Sequence, residues 1–113
     1  MPEPIKLPHG NSKDSKKKHH LYAIIEIFRN LVFKFGISGE KLNKDGSSRR
    51  ANKQVNKLNK MAGINAFKSE ILEIDIDGRE VALEKEIERT IQHLDANDDN
   101  MPDGQKRPNP TKD

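Results

Sequence analysis

Apolar residues along this chain fall into separated clusters, and two different periodicities govern them. Leu21 to Phe28 and Leu31 to Ile37 are runs rich in Ile, Val and Phe, each of strand length, with Arg29-Asn30 as the only polar break between them. Such a pair predicts an antiparallel hairpin. Weak alternation in the first run predicts a strand covered on both faces. After the polar "EKLNKDG", Ser47-Ser48 supply an N-cap ahead of "RRANKQVNKLNKMAG". Ala51, Val55, Leu58 and Ala62 recur at i, i+4, i+7 and i+11, the stripe of an amphipathic helix that Gly63 ends. In "FKSEILEIDID", Leu72, Ile74 and Ile76 alternate with Glu73, Asp75 and Asp77, the cleanest strand signal in the chain. Asp77-Gly78 predicts a turn, and Arg79 to Leu94 a second helix that turns Leu83, Ile87, Ile91 and Leu94 to the core. The order β-β-α-β-α predicts an α/β protein of the α+β type, a small three-stranded antiparallel sheet flanked by helices.

Composition limits that core. With 113 residues, 32% of them hydrophobic, and a mean hydropathy of −0.94, the chain holds one domain with a thin interior. Residues 1–18, "MPEPIKLPHGNSKDSKKK", mix Pro, Gly, Ser, Asn and Lys and predict a flexible basic linker. No run approaches the ~20 apolar residues of a membrane span, and no secretory signal opens the chain, so no membrane partner is expected. The absence of cysteine excludes disulfides and thiolate metal sites.

Charge divides the chain more sharply than its net +3 suggests. Lys34 to Lys60 holds eight Lys/Arg against Glu40 and Asp45, whereas Glu70 to Asp103 holds twelve acids against Arg79, Lys85 and Arg89. The first half suits phosphate and the second a metal ion. On the second helix, about 100° per residue sorts Glu80, Glu84 and Glu88 into one stripe beside the apolar face. Glu86 falls on the other flank, with only Ala82 and Thr90 at i−4 and i+4, which leaves room for a ligand. Lys34 interrupts an apolar strand. Arg50 sits where a helix begins, against the positive end of the macrodipole, a position that structure alone disfavours. The four histidines lack zinc-site spacing. "DANDDN" fails as a calcium loop, because Asn100 stands at the glycine position and Lys106 at that of the bidentate Glu.

Together, "HLY" opening one strand, "KFGIS" closing the next, a helix opening with "RRA", and "ALEKE" in a later helix resemble the GIY-YIG nuclease superfamily. More narrowly, "VFKFGISG", "DGSSRRANKQVNKLN" and "PDGQKRP" resemble the GIY-YIG toxin domains at the C-termini of bacterial polymorphic toxins. The resemblance covers residues 19–110, leaving 111–113 as a tail and 1–18 as the connection to a delivery module. Tyr22 matches the first-motif tyrosine, Gly36 the second-motif glycine, Arg50 the helix arginine with Arg49 as its competitor, and Glu86 the metal-binding glutamate. His20-Leu21 replaces Gly-Ile, Lys34-Phe35 replaces Tyr-Ile, and Gln54 stands where many members carry His or Tyr.

The resemblance implies a metal-dependent endonuclease, DNA before RNA, in which Glu86 holds Mg²⁺ or Mn²⁺ and Tyr22 accepts the proton of the attacking water. Arg50 clamps the phosphate. Lys34 either binds the scissile phosphate or lowers the tyrosine's pKa. His20, Gly36, Ser38, Arg49, Lys53, Gln54 and Lys57 are the expected substrate contacts, Gly36 by letting the backbone approach the phosphate. A delivered effector acting in the target-cell cytoplasm, a cognate immunity protein and a monomeric domain are further expectations. The alternative is a non-catalytic nucleic-acid-binding domain using the same basic face, which metal dependence separates from the nuclease.

Overall fold

The computed structural model describes residues 16–105. The expected tail residues 1–15, and Lys106 onward, lie outside that span. Five elements follow one another: β1 (Lys18–Glu26), β2 (Leu31–Ser38), α1 (Arg49–Ala62), β3 (Phe67–Asp77) and α2 (Arg79–Ala96). The strands form one antiparallel sheet in the order β2-β1-β3, so the predicted α+β architecture is the one adopted. β1 is central and buried from His19 to Ile25, as its unbroken apolar run requires.

Alternate residues of β1 serve two cores. Tyr22 and Ile24 pack with Ala51, Val55 and Leu58 of α1. On the opposite face Leu21 packs with Ile37, Ile76 and Ala82 of α2, and Ala23 and Ile25 with Phe35. α1 begins and ends where its sequence signals lie: Ser48 caps it by accepting the Ala51 N–H at 3.2 Å, and Gly63 ends it at φ 76°.

Two expectations need correction. β1 begins at Lys18, inside the predicted tail, because Lys18 pairs with Asp77 and the Lys17 carbonyl accepts the Gly78 N–H. It ends at Glu26, and Ile27 and Phe28 go to the hairpin turn, where both are exposed. There the Glu26 carboxylate accepts the Arg29 N–H at 2.7 Å, and Asn30 turns left-handed at φ 54°. The second correction concerns α2. Its buried residues are Ala82, Glu86, Thr90 and Leu94, whereas Ile87 and Ile91 remain 36% and 43% exposed. Glu86 therefore lies within the sheet-facing stripe and not on its flank. Size decides this rotation: Ala82 lets the helix approach Leu21, Ile37 and Ile76 closely, and Thr90 satisfies its hydroxyl on the Glu86 carbonyl at 2.8 Å.

This packing predicts that Ala82→Leu overpacks the junction and costs roughly 1–3 kcal/mol. Ile91→Lys, despite its place in the apolar periodicity, should change stability by no more than about 0.5 kcal/mol. Urea denaturation of both variants measures the contrast.

Candidate active site

Tyr22 and Gly36 are register partners on β1 and β2. The Tyr22 ring lies over Gly36, where an added Cβ would stand 2.4 Å from both Cζ and Oη. The missing side chain of Gly36 thus makes room for the phenol, which corrects the expectation that it opens space for a phosphate. The Tyr22 hydroxyl donates to Gln54 Oε1 at 3.2 Å. Gln54 is one helical turn beyond Arg50, and both border the apolar stripe of α1.

Burial pushes the Tyr22 pKa up, outweighing Arg50, whose charge and hydrogen bond pull it down together with the Gln54 bond; Glu86 adds to the rise. The phenol therefore keeps its proton near neutral pH. That direction corrects the expectation of a tyrosine lowered toward neutrality to act as base, and the cation acting on it is Arg50. Lys34, opposite Ile24 in the ladder, is half-buried. Burial and then the Arg50 charge lower its pKa, while Glu86 opposes them.

Glu86 is 6% exposed. Its pKa is raised to about 7 by burial, against the pull of Lys34, Arg79 and Arg50. Tyr22, Lys34, Arg50 and Glu86, chosen from four separate elements, are thus brought together. Arg79 joins them and was missed by the sequence reading. It lies seven residues before Glu86, two turns along one face, and carries the same mismatch with a helix N-terminus that singled out Arg50.

The remaining expected contacts divide into two groups. Arg49, Lys53 and Gln54 line an open groove of about 980 Å³ with Arg50, Glu40 and Lys41. Lys57 is exposed farther along α1, outside that lining. His20 and Ser38 are buried and bonded within the protein. His20 Nε2 lies 2.7 Å from Ser48 Oγ, and Ser38 Oγ accepts the Glu40 N–H at 3.1 Å. Burial, and then the His19 charge, lower the His20 pKa against Glu40, and the ring shares a hydrogen bond with the Ser48 hydroxyl that caps α1. His20 is thereby tied to the start of the helix that carries Arg50.

Among the described residues no three His, Cys, Asp or Glu side chains gather in one place. The site offers a cation one carboxylate, Glu86, beside groups suited to phosphate. That donor set fits Mg²⁺, which is commonly held through one or two carboxylates, substrate phosphates and retained waters.

The α+β fold thus sets a buried acid, Glu86, within reach of the charges of Lys34, Arg50 and Arg79. A family model described as URI fold toxin 2 matches residues 12–99, and the chain belongs to that family. It is a toxic effector domain, of the delivered kind that has a cognate immunity protein, and no helix among the described residues is long and apolar enough to cross a membrane. No curated protein and no solved structure matches the chain.

Two outcomes follow from these pKa directions. Tyr22 is the sole tyrosine and tryptophan is absent, so phenolate absorbance during alkaline titration reports this one residue; its midpoint should lie above the ordinary 10.0. Glu86 carries a carboxyl pKa of about 7 when folded, against 4.5 for the free group. The folded state therefore retains a proton that the unfolded state releases, and stability falls as pH rises from about 4.5 to about 7. Glu86→Gln should remove that fall, stabilising the domain by on the order of 2–3 kcal/mol at pH 8 and little at pH 4, as read by urea unfolding at each pH.

Proposed function

We propose that this domain is a metal-dependent endonuclease of the GIY-YIG type, and that hydrolysis of phosphodiester bonds in nucleic acid, DNA before RNA, is its toxic activity. The observation that carries this reading is a buried carboxylate, Glu86, within the electrostatic reach of Lys34 and Arg50, with Arg50 lining a groove beside further α1 cations. The alternative of a pure binding surface gives no reason to bury a carboxylate there, since exposed Lys and Arg alone hold a polyanion.

Glu86 would hold Mg²⁺ or Mn²⁺, and such an ion supplies phosphate neutralisation and a more acidic bound water. The chain's own residues do the rest. Arg50, steadied by Tyr22, whose hydroxyl is held by Gln54, presents its planar guanidinium to the phosphate, where charge builds in the transition state. Lys34 is a charged group with a lowered pKa, suited to neutralising the phosphate and to giving the leaving oxygen a proton. Tyr22, a neutral phenol, serves as a positioning hydrogen-bond donor. Arg49, Lys53 and Lys57, exposed along α1 without an ion-pair partner among the described residues, extend contact to neighbouring phosphates. An acidic immunity protein covering the Lys34–Lys60 face would block this site directly. We assign the activity to this domain acting as a monomer.

The test is incubation with plasmid DNA and with total RNA, in divalent ion or in chelator. Wild type should cleave only with the ion. Glu86→Ala should fall to background, and Lys34→Met and Arg50→Ala should lose about a hundredfold or more. Because metal binding needs the Glu86 carboxylate ionised, the rate at limiting divalent ion should climb as pH rises. Nucleic-acid binding that survives chelation and Glu86→Ala, with no cleavage under any condition, would show a binding domain instead.

A further inference from the structure

Lys34 stands at the weakest point of its strand. Ile24 pairs with Lys34 and Ile25 with Val32, so Phe33 is an extra, unpaired residue that interrupts the β1–β2 ladder directly before the lysine. β2 is also an edge strand, with β1 on one side only. Edge position and a bulge together leave the direction of the Lys34 side chain weakly fixed by the sheet itself.

A distant segment secures the other side. Gly104 N–H donates to the Phe33 carbonyl at 2.7 Å, and Gln105 Oε1 accepts the Phe35 N–H at 2.6 Å. These two backbone groups bracket Lys34, one residue before it and one after. The fit is close. A Cβ on Gly104 would stand 2.2 Å from Phe33 Cε2, so glycine is needed for the segment to lie against the strand, and Gln105 is itself buried. Arg29 holds the neighbouring Asp103 at 3.2 Å, tying the segment to the hairpin turn as well. The match to the toxin family ends at residue 99, before any of these residues.

We propose that Gln105 is a positioning residue for the nuclease reaction: by accepting the Phe35 N–H on the outer edge of β2, it fixes the course of the strand that carries Lys34. The inference rests on the reading of Lys34 as part of a hydrolytic site. A glutamine is suited to the task because its side-chain carbonyl oxygen accepts the backbone N–H directly. The segment 102–105 is then a working part of the site as well as a cover for a sheet edge.

The experiment combines amide hydrogen exchange with a double-mutant cycle on the full chain. Gln105→Met keeps the length of the side chain and removes the acceptor; Gln105→Glu keeps an acceptor oxygen. In Gln105→Met the Phe35 amide should lose protection while the β1 and β3 amides keep theirs. Its kcat should fall at least tenfold with KM within about twofold of wild type, and Gln105→Glu should recover most of that loss. In a Lys34→Met background, Gln105→Met should cost nothing further, because a residue acting through Lys34 has nothing left to position. Equal losses in both backgrounds, or unchanged kcat in a variant whose Phe35 amide has opened, would overturn the proposal. If Gln105→Met does not fold, Gly104→Ala displaces the same segment from Phe33 with Gln105 intact and should give the same kinetic pattern. If wild type cleaves nothing, the hydrolytic reading fails first. The exchange arm then judges the clamp alone, and protection of Phe35 that survives Gln105→Met would refute it.

Discussion

A carboxylate buried against a small sheet is the constraint around which this domain is organised. Burying Glu86 without compensation would be costly, and its pKa of about 7 in the presence of three nearby cations measures how strongly the interior resists its charge. The compensation is distributed: Lys34 comes from β2, Arg50 from α1 and Arg79 from the start of α2 itself. Each element must be seated for the others to be comfortable. The rotation of α2 follows from the same constraint, since a helix that turns Ala82, Glu86 and Thr90 inward must leave Ile87 and Ile91 toward solvent.

Most of the fold was legible because local physical signals agree. Alternation in "FKSEILEIDID" gives β3 its observed bounds, and Ser48 and Gly63 mark both ends of α1 by their capping chemistry. What the sequence concealed is nonlocal. The periodicity of α2 favours Leu83, Ile87 and Ile91, and only the partner surface of Leu21, Ile37 and Ile76 shows that a small residue is needed at the contact. The Tyr22 ring over Gly36 depends on cross-strand register, which a bulge makes unreadable from one strand alone. Tyr22, Lys34 and Arg50 were assigned to the site through the resemblance, and Glu86 also by its angle on α2, whereas Arg79 was missed; the direction of the Tyr22 pKa was not legible, because burial outweighs its cationic neighbour.

Electrostatic segregation runs through the same architecture. α1 carries Arg49, Arg50, Lys53, Lys57 and Lys60 and no acid, and Arg49, Lys53 and Lys57 follow one another at i, i+4 spacing, where like charges repel. Acids on β3 are instead paired, Glu73 with Lys85 of α2 at 2.9 Å, Glu70 with Lys68 at 3.4 Å, and Asp77 with Lys18. The helix tolerates its uncompensated charge because Ala51 and the Val55–Leu58 stripe anchor it to Tyr22 and Ile24, and because the Ser48 cap is itself held by a buried histidine.

The scattering of the site along the chain has a further consequence. Tyr22 and Lys34 belong to a hairpin closed by short-range contacts, while Glu86 arrives on the last helix and Gln105 later still. Pairing of β1 with β3 closes a loop from Lys18 to Asp77 around α1, so the central strand gains its second neighbour only after much of the chain is in place. A chain that is unfolded, or whose final helix has not docked, contains every residue of the site and none of its arrangement. Assembly of the fold and assembly of the site are therefore one event.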